Sequence, residues 1–348
     1  MISPDDFDYQ LPEELIAQEP SSPRDESRLF VYDTASDEVI HDRFINLDRY
    51  LSPISFLVLN ETKVLPSRLT LFKETGGRVQ VLFLINHLTE DVSCIPVMSD
   101  RKLGVGSKLT SQHGFIFQVE RQKENIFYLK SSLNRSQLVH ALEEEGRMPI
   151  PPYIKHSPLT EEQLRIKYQT IFARKEGSVA APTASLHFTE RVFKKIEQKR
   201  INIINTQLHV GMGTFAPIDA INIEKRQLHE ELYEISPEAA SAINSAKRAG
   251  KKCVAVGTTV VRTLESAGKG GFVEAGNGNT DLFVFNPYVF QQVDCMVTNF
   301  HVPRSSLMML VDAFLRSKGA KRKILDLYEI AKEERYRFFS FGDAMFIK

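Results

Sequence analysis

Four of the nine histidines stand beside small, turn-forming or hydroxyl residues: His187 in PTASLHFT, His209 in LHVGMGTF, His229 in LHEEL and His301 in TNFHVP. Imidazole titrates nearest to neutrality, so such a set can take and return protons within one reaction cycle. The competing reading is that each ring caps or hydrogen-bonds a strand end. Their separations of 22, 20 and 72 residues match no local metal-binding spacing, so proton transfer is expected and a metal is not.

The segment HVGMGTFA formally fits G-x-G-x-x-A at Gly211, Gly213 and Ala216, but Pro217 follows and no helical pattern develops. A dinucleotide fingerprint needs a helix start aimed at the phosphates. We read a glycine loop that lets backbone approach a ligand, with a tight turn as the alternative. The stretch KKCVAVGTTVVRTLESA is a better strand-to-helix junction. Gly257 makes the turn, Thr258 and Thr259 cap, and the helix start offers N–H groups to a carboxylate-bearing ligand, with Arg262 one turn in. A plain helix cap explains the same residues. Asn60 to Lys63, Arg68, Thr298 with Asn299, and Ser340 with Asp343 are polar residues in apolar settings. Burying them costs free energy unless they are paired, so they mark either a site or ordinary turns.

The elements that must position these residues fall into two textures. Between Ser67 and Lys130, short runs of β-branched and aromatic residues alternate with turn residues, predicting a small antiparallel barrel or sandwich. The helical stretch SQLVHALEEEG closes it, and the proline strap RMPIPPY (147–153) marks a boundary. Beyond it, helical TEEQLRIKYQTIFA, ERVFKKIEQKR, PEAASAINSAKRAG and the ERY region alternate with strand-like INIINTQLHV, KKCVAVG, DLFVFN and CMVTNF. The glycine-rich 268–278 reads as a mobile loop. The expected architecture is therefore a two-domain α/β protein. Residues 1–66 and 148–348 form an α/β main body with a mixed sheet, and 67–147 form an inserted small antiparallel β-barrel.

Composition bounds the function. The chain of 348 residues carries 44 basic and 44 acidic side chains, which excludes a general polyanion coat. The zero hides a gradient: residues 1–66 hold 5 basic and 14 acidic groups, 67–142 hold 10 and 6, and 143–348 hold 29 and 24. Three scattered cysteines without a CxxC pair point to a reducing compartment. The acidic start and the lack of an 18-residue apolar run point to a cytoplasmic protein with no membrane partner. No GxSxG, Walker, HExxH or kinase motif occurs.

Read together, nine ordered blocks resemble the S-adenosylmethionine:tRNA ribosyltransferase-isomerase family of queuosine biosynthesis. They are LPEELIAQEPSSPRDESRL, LNETKVLPSRL, GRMPIPPYI, YQTIFARKEGSVAAPTASLHFT, HVGMGTFAPI, LHEELYEI, VGTTVVRTLE, TNFHVPRSSLMMLV and YRFFSFGDAM, and they span essentially the whole chain. The resemblance implies an α/β body with an inserted barrel, no metal and no permanently bound cofactor. It implies transfer and isomerisation of the ribosyl part of S-adenosylmethionine, a consumed co-substrate, onto a 7-aminomethyl-7-deazaguanine at the tRNA wobble position. The product is epoxyqueuosine-tRNA, and adenine and methionine leave.

That chemistry needs a base for the 5′ C–H and a donor for the leaving adenine, and we expect His209, His229 with Glu231, and His301 to supply the pair; which histidine does which job stays open. Gly211, Gly213 and Thr214 would pack against the adenosine, and Arg262 or the Thr258-Thr259 helix start, with an acid such as Asp343, would hold the carboxylate and ammonium of the methionine end. Lys63, Arg68, His187 and Asn299 are the expected contacts to the tRNA or its extruded base, with the anticodon arm between the domains. The protein is expected to act as a monomer. The chain departs from the family pattern at Ser185 for a glycine, Gln80 for an acid, Asn286-Pro287 for Pro-Gly and Ser305-Ser306 for Ser-Thr. Ser185 would reshape a pocket if its position required positive φ. Two other readings remain: an S-adenosylmethionine-dependent RNA methyltransferase, which leaves adenosine intact, and a non-catalytic RNA-binding module.

Overall fold

The computed structural model describes residues 2–88, 92–211, 218 and 220–348. The first stretch supplies β1 (Arg28–Asp33), β2 (Glu38–Arg43), β3 (Ser55–Asn60) and β4 (Thr62–Val64). Next come β5 (Arg68–Lys73), β6 (Arg78–Phe83), β7 (Ile95–Ser99), β8 (Lys108–Thr110), β9 (Ile116–Lys123), β10 (Ile126–Lys130) and helix α1 (Arg135–Glu145). The remainder alternates. It contains α2 (Glu161–Lys167), β11 (Lys175–Ser178), α3 (Glu190–Gln198), β12 (Asn202–Leu208), α4 (Ala220–Lys225), β13 (Gln227–Ile235), α5 (Pro237–Arg248) and β14 (Lys252–Val256). It ends with α6 (Thr258–Ala267), β15 (Gly268–Lys269), β16 (Phe272–Val273), β17 (Gly276–Leu282), β18 (Cys295–Asn299), α7 (Ser306–Ser317), α8 (Ile324–Glu333) and β19 (Ala344–Ile347).

Nine of these strands form one mixed sheet in the order β17-β13-β12-β3-β14-β18-β19-β1-β2. Its centre is parallel: β12, β3, β14 and β18 run the same way, and antiparallel neighbours flank them. A parallel strand needs both faces covered, and every residue of β3, SFLVLN, is buried. One face packs on α5, α6, α7 and α8 through Ile243, Leu264, Met308 and Leu327. The other packs on α3 through Leu57, Val192, Ile196 and Val254. The register makes the four central strands end together, so whatever follows Asn60, Leu208, Val256 and Asn299 is brought to one edge.

The insertion is a closed barrel, β10-β7-β6-β5-β8-β9. Alternation along β9 and β10 sends Phe117, Val119, Phe127 and Leu129 inward beside Leu69, Val81 and Val97. The chain enters after Ser67 and leaves at Arg147. Those two crossings are stitched by Arg68 N–H to Arg147 carbonyl at 3.2 Å and Arg147 N–H to Arg68 carbonyl at 2.9 Å.

Three local expectations differ. The glycine-rich 268–278 forms the β15–β16 hairpin and then begins the edge strand β17, whose ladder to β13 satisfies its backbone. DLFVFN is strand only as far as Leu282, because Phe283, Val284 and Phe285 leave the ladder to bury themselves in the core. The ERY segment lies past the end of α8, and Arg335 there takes φ +55 while Tyr336 turns into the core.

Candidate active site

At the carboxyl end of β12 stands His209. Its Nδ1 lies 3.1 Å from Thr62 Oγ1, which in turn lies 2.7 Å from Ser178 Oγ. Ser178 Oγ accepts the Val210 N–H at 2.9 Å, so two backbone crossings and a hydroxyl pair hold the ring. Its Nε2 makes no hydrogen bond among the described residues. Burial pushes the His209 imidazole below its usual value, outweighing Glu234, which draws it up. A half-buried ring, held at one nitrogen and neutral at pH 7, is poised as a base. Gly177 permits this placement: at φ +151 it tolerates a conformation L side chains rarely adopt, and a Cβ there would stand 2.5 Å from His209 Nδ1.

The ends of β14 and β18 frame a cavity. Its lining includes Gly257, Thr258, Thr259, Thr298, Asn299, His301, Tyr153 and Ser340. Gly257 at φ +94 breaks β14 and starts α6, so the first N–H groups of that helix face the cavity wall. Thr259 Oγ1 is buried with no partner among the described residues. His301 is buried, with Nε2 at 2.7 Å from Thr298 Oγ1, while its own N–H donates to Tyr328 Oη and its carbonyl accepts from Tyr9 Oη. Burial pushes its imidazole down to about 3. Asn299 shares the lining, but its amide is spent inside the protein on Thr183 Oγ1, the Asp343 carbonyl and His187 Nε2.

Glu231 and Arg262 form the third group. They were expected to serve separately, one as a catalytic acid and one on the methionine carboxylate; instead they pair with each other. The Glu231 carboxylate meets Arg262 Nη1 with both side chains buried, and its Oε1 accepts the Gly211 N–H at 2.8 Å. The other Arg262 donors go to the Leu282 carbonyl at 3.2 Å and the Thr280 carbonyl at 3.3 Å. The pair ties α6 and β17 to the residue that opens the glycine segment. His229 lies exposed on β13, beside a cleft it shares with Glu231, Arg262 and Leu307, and Leu307 also lines the main cavity.

Other residues stand apart. Asp343 is absent from the cavity lining: it accepts the Arg28 and Arg337 N–H groups at 3.0 and 2.8 Å and so stitches β19 to β1. His187 is buried beneath Phe44, with Nδ1 on Ser27 Oγ at 2.8 Å, and burial first and then Arg337 push its imidazole down to about 3. Lys63 is ion-paired with Glu176 at 2.9 Å and with Glu143 at 3.8 Å, linking body to barrel. Ser185 sits in a 3-10 turn without positive φ, so the pocket consequence tied to that conformation does not arise. Gly213 and Thr214 lie outside the described residues. The residues that motif reading missed are Ser178 and Gly177, which hold His209 together with Thr62 of the Asn60–Lys63 cluster; only the tertiary pairing of β4 with β11 brings them there. Among the described residues, no group of three or more His, Cys, Asp or Glu side chains is placed to share a metal ion.

A cavity beyond the carboxyl ends of parallel strands, lined by a helix N-terminus and His301, with His209 held at the same sheet edge but outside that lining, defines a ligand-binding α/β enzyme of the open-sheet kind, here carrying an inserted barrel. The model of the family described as "Queuosine biosynthesis protein" matches residues 4–347, and the chain belongs to that family. It is 45% identical over 98% of both chains to the S-adenosylmethionine:tRNA ribosyltransferase-isomerase of Carboxydothermus hydrogenoformans. It is 43% identical over 99% of both to that of Moorella thermoacetica. A crystal structure of S-adenosylmethionine tRNA ribosyltransferase from Thermotoga maritima covers 98% of this chain and 99% of its own, with TM-score 0.55 and 33% identity.

Proposed function

We propose that the protein transfers and isomerises the ribosyl portion of S-adenosylmethionine onto 7-aminomethyl-7-deazaguanine at the tRNA wobble position, releasing adenine and methionine. The observation that carries this reading is that His301 and the Thr258–Thr259 helix start line one cavity at the sheet edge where β12 also delivers His209, in a chain of this family. The sulfonium acidifies the neighbouring 5′ C–H, and His209, neutral with Nε2 unpartnered, is the base for that proton. His301, neutral and held through Nε2 by Thr298, serves by hydrogen bonding to the leaving adenine. The α6 N-terminus receives the methionine carboxylate, the role the buried ion pair denies Arg262. His229 remains the second acid–base candidate, reached from solvent.

S-adenosylmethionine acts as a consumed co-substrate with its methyl group retained on methionine, and no cofactor stays bound. The anticodon arm lies across the junction of 67–147 with the body, where Arg68 is half-buried; the protein works as a cytoplasmic monomer. No helix among the described residues is long and apolar enough to cross a membrane. The test is incubation with S-adenosylmethionine and an anticodon stem-loop bearing the aminomethyl-deazaguanine. Free adenine with a mass gain on the RNA supports the reading; intact adenosine products with a methylated RNA, or no turnover, overturn it.

A further inference from the structure

The barrel entrance places two arginines face to face. Arg68 and Arg147 are partners in an antiparallel bridge, so their side chains leave the same face. Both line one cavity at the seam between barrel and body, with Gln80, Met148, Leu159 and Glu161. Neither guanidinium has an ion pair or side-chain hydrogen bond among the described residues. The carboxylate acting on Arg68 is Glu161, and it is already engaged, its Oε1 accepting the Met148 N–H at 2.6 Å and standing 3.7 Å from Arg165. Directly opposed like charges on a bridge destabilise it, and Arg68 is half-buried, which adds a desolvation cost. Two forked, unpaired guanidiniums in a common cavity are complementary to one group: a phosphate, taken by bidentate contacts.

We infer that Arg68 and Arg147 form a phosphodiester clamp on the RNA strand, a binding site separate from the chemical centre. This rests on the tRNA reading above, because S-adenosylmethionine has no phosphate and its carboxylate is assigned elsewhere. Among the described residues, none lines both this cavity and the one holding His301. The clamp therefore acts on RNA affinity and leaves the chemical step and the small substrate alone. Lys63, expected to share this task, is excluded from it by its pairing with Glu176 and Glu143.

The experiment uses the full chain and the variants Arg68→Gln, Arg147→Gln, their double, and Arg147→Lys, with Arg101→Gln as an exposed charge control on the barrel. Stem-loop RNA binding is titrated against salt, KM for S-adenosylmethionine is measured in parallel, and inorganic phosphate is added in a thermal-melt series. Each single Gln variant raises the RNA Kd about tenfold. The double lowers the slope of log K against log salt by about 1, and its loss of activity appears in KM for the RNA and not in KM for S-adenosylmethionine. Arg147→Lys recovers part of the loss, and the double keeps or raises Tm because the opposed charges are gone. The clamp is overturned if the double binds RNA like wild type, if Arg101→Gln costs as much, or if phosphate protects wild type while RNA affinity ignores both arginines. A wild-type protein that binds no stem-loop sinks the tRNA reading itself, an outcome separate from failure of the clamp.

Discussion

Replacing Arg262 by Met separates two roles that the sequence leaves open for this residue. The change removes a guanidinium that meets the Glu231 carboxylate and donates to the carbonyls of Leu282 and Thr280. Glu231, 3% exposed, then keeps the Gly211 N–H but loses Arg262, and two buried carbonyls lose donors. Removing one partner of a buried pair costs about 3–5 kcal/mol, whereas replacing both by apolar groups is often near neutral. At roughly 2 °C per kcal/mol for a body of this size, Tm should fall by about 6–10 °C. The double variant Arg262→Met/Glu231→Leu should lose less than Arg262→Met alone, a negative departure from additivity. The assay is thermal unfolding of the wild type, both singles and the double, with KM for S-adenosylmethionine on each. An Arg262→Met protein with unchanged Tm and a KM raised tenfold or more would refute the structural reading and restore Arg262 to the methionine carboxylate.

Three further outcomes follow from the geometry. Gly177→Ala drives a Cβ into the His209 ring, so adenine release should fall at least tenfold, and wild-type turnover would show that His209 is not the base. Asn86→Leu should raise Tm, because Asn86 is 3% exposed, packs on Gly211 and has both amide atoms unpartnered among the described residues; a lower Tm would mean that the amide is satisfied. His187 and His301, both pushed from 6.5 to about 3 by burial, bind protons only when unfolded across that window, so acid removes stability as pH falls from about 6.5 toward 3. Each contributes a slope of at most about 1.4 kcal/mol per pH unit. His187→Asn should flatten the dependence of Tm on pH between 6 and 4, measured by melts across that range; an unchanged slope contradicts the burial assignment.

Much of the fold was legible because hydrophobic periodicity reports burial directly. FLVLN reads as a strand buried on both faces, and IFYLK alternates as a barrel strand must. Elements failed to read where partners supplied what their own residues lacked. Gly276–Leu282 has no strand propensity, and β13 gives it a ladder; Phe283–Phe285 has it, and the core takes the side chains instead.

For the candidate site, residue type and position beside strand ends were enough to place His209, His301, Thr258 and Thr259 at the sheet edge, since a polar group after an apolar run must sit there. The sequence alone also determined the family, the barrel and the absence of a charge surplus. What only tertiary structure decided is who pairs with whom. Glu231 and Arg262 stand 31 residues apart in the chain, Lys63 and Glu176 stand 113 apart, and Arg68 and Arg147 are joined across a whole inserted barrel. A charged side chain bears the same formal charge in a salt bridge, in a capped turn or in an open cleft. Its availability to a substrate depends on which opposite charge folding brings within hydrogen-bond reach, and chain spacing does not encode that.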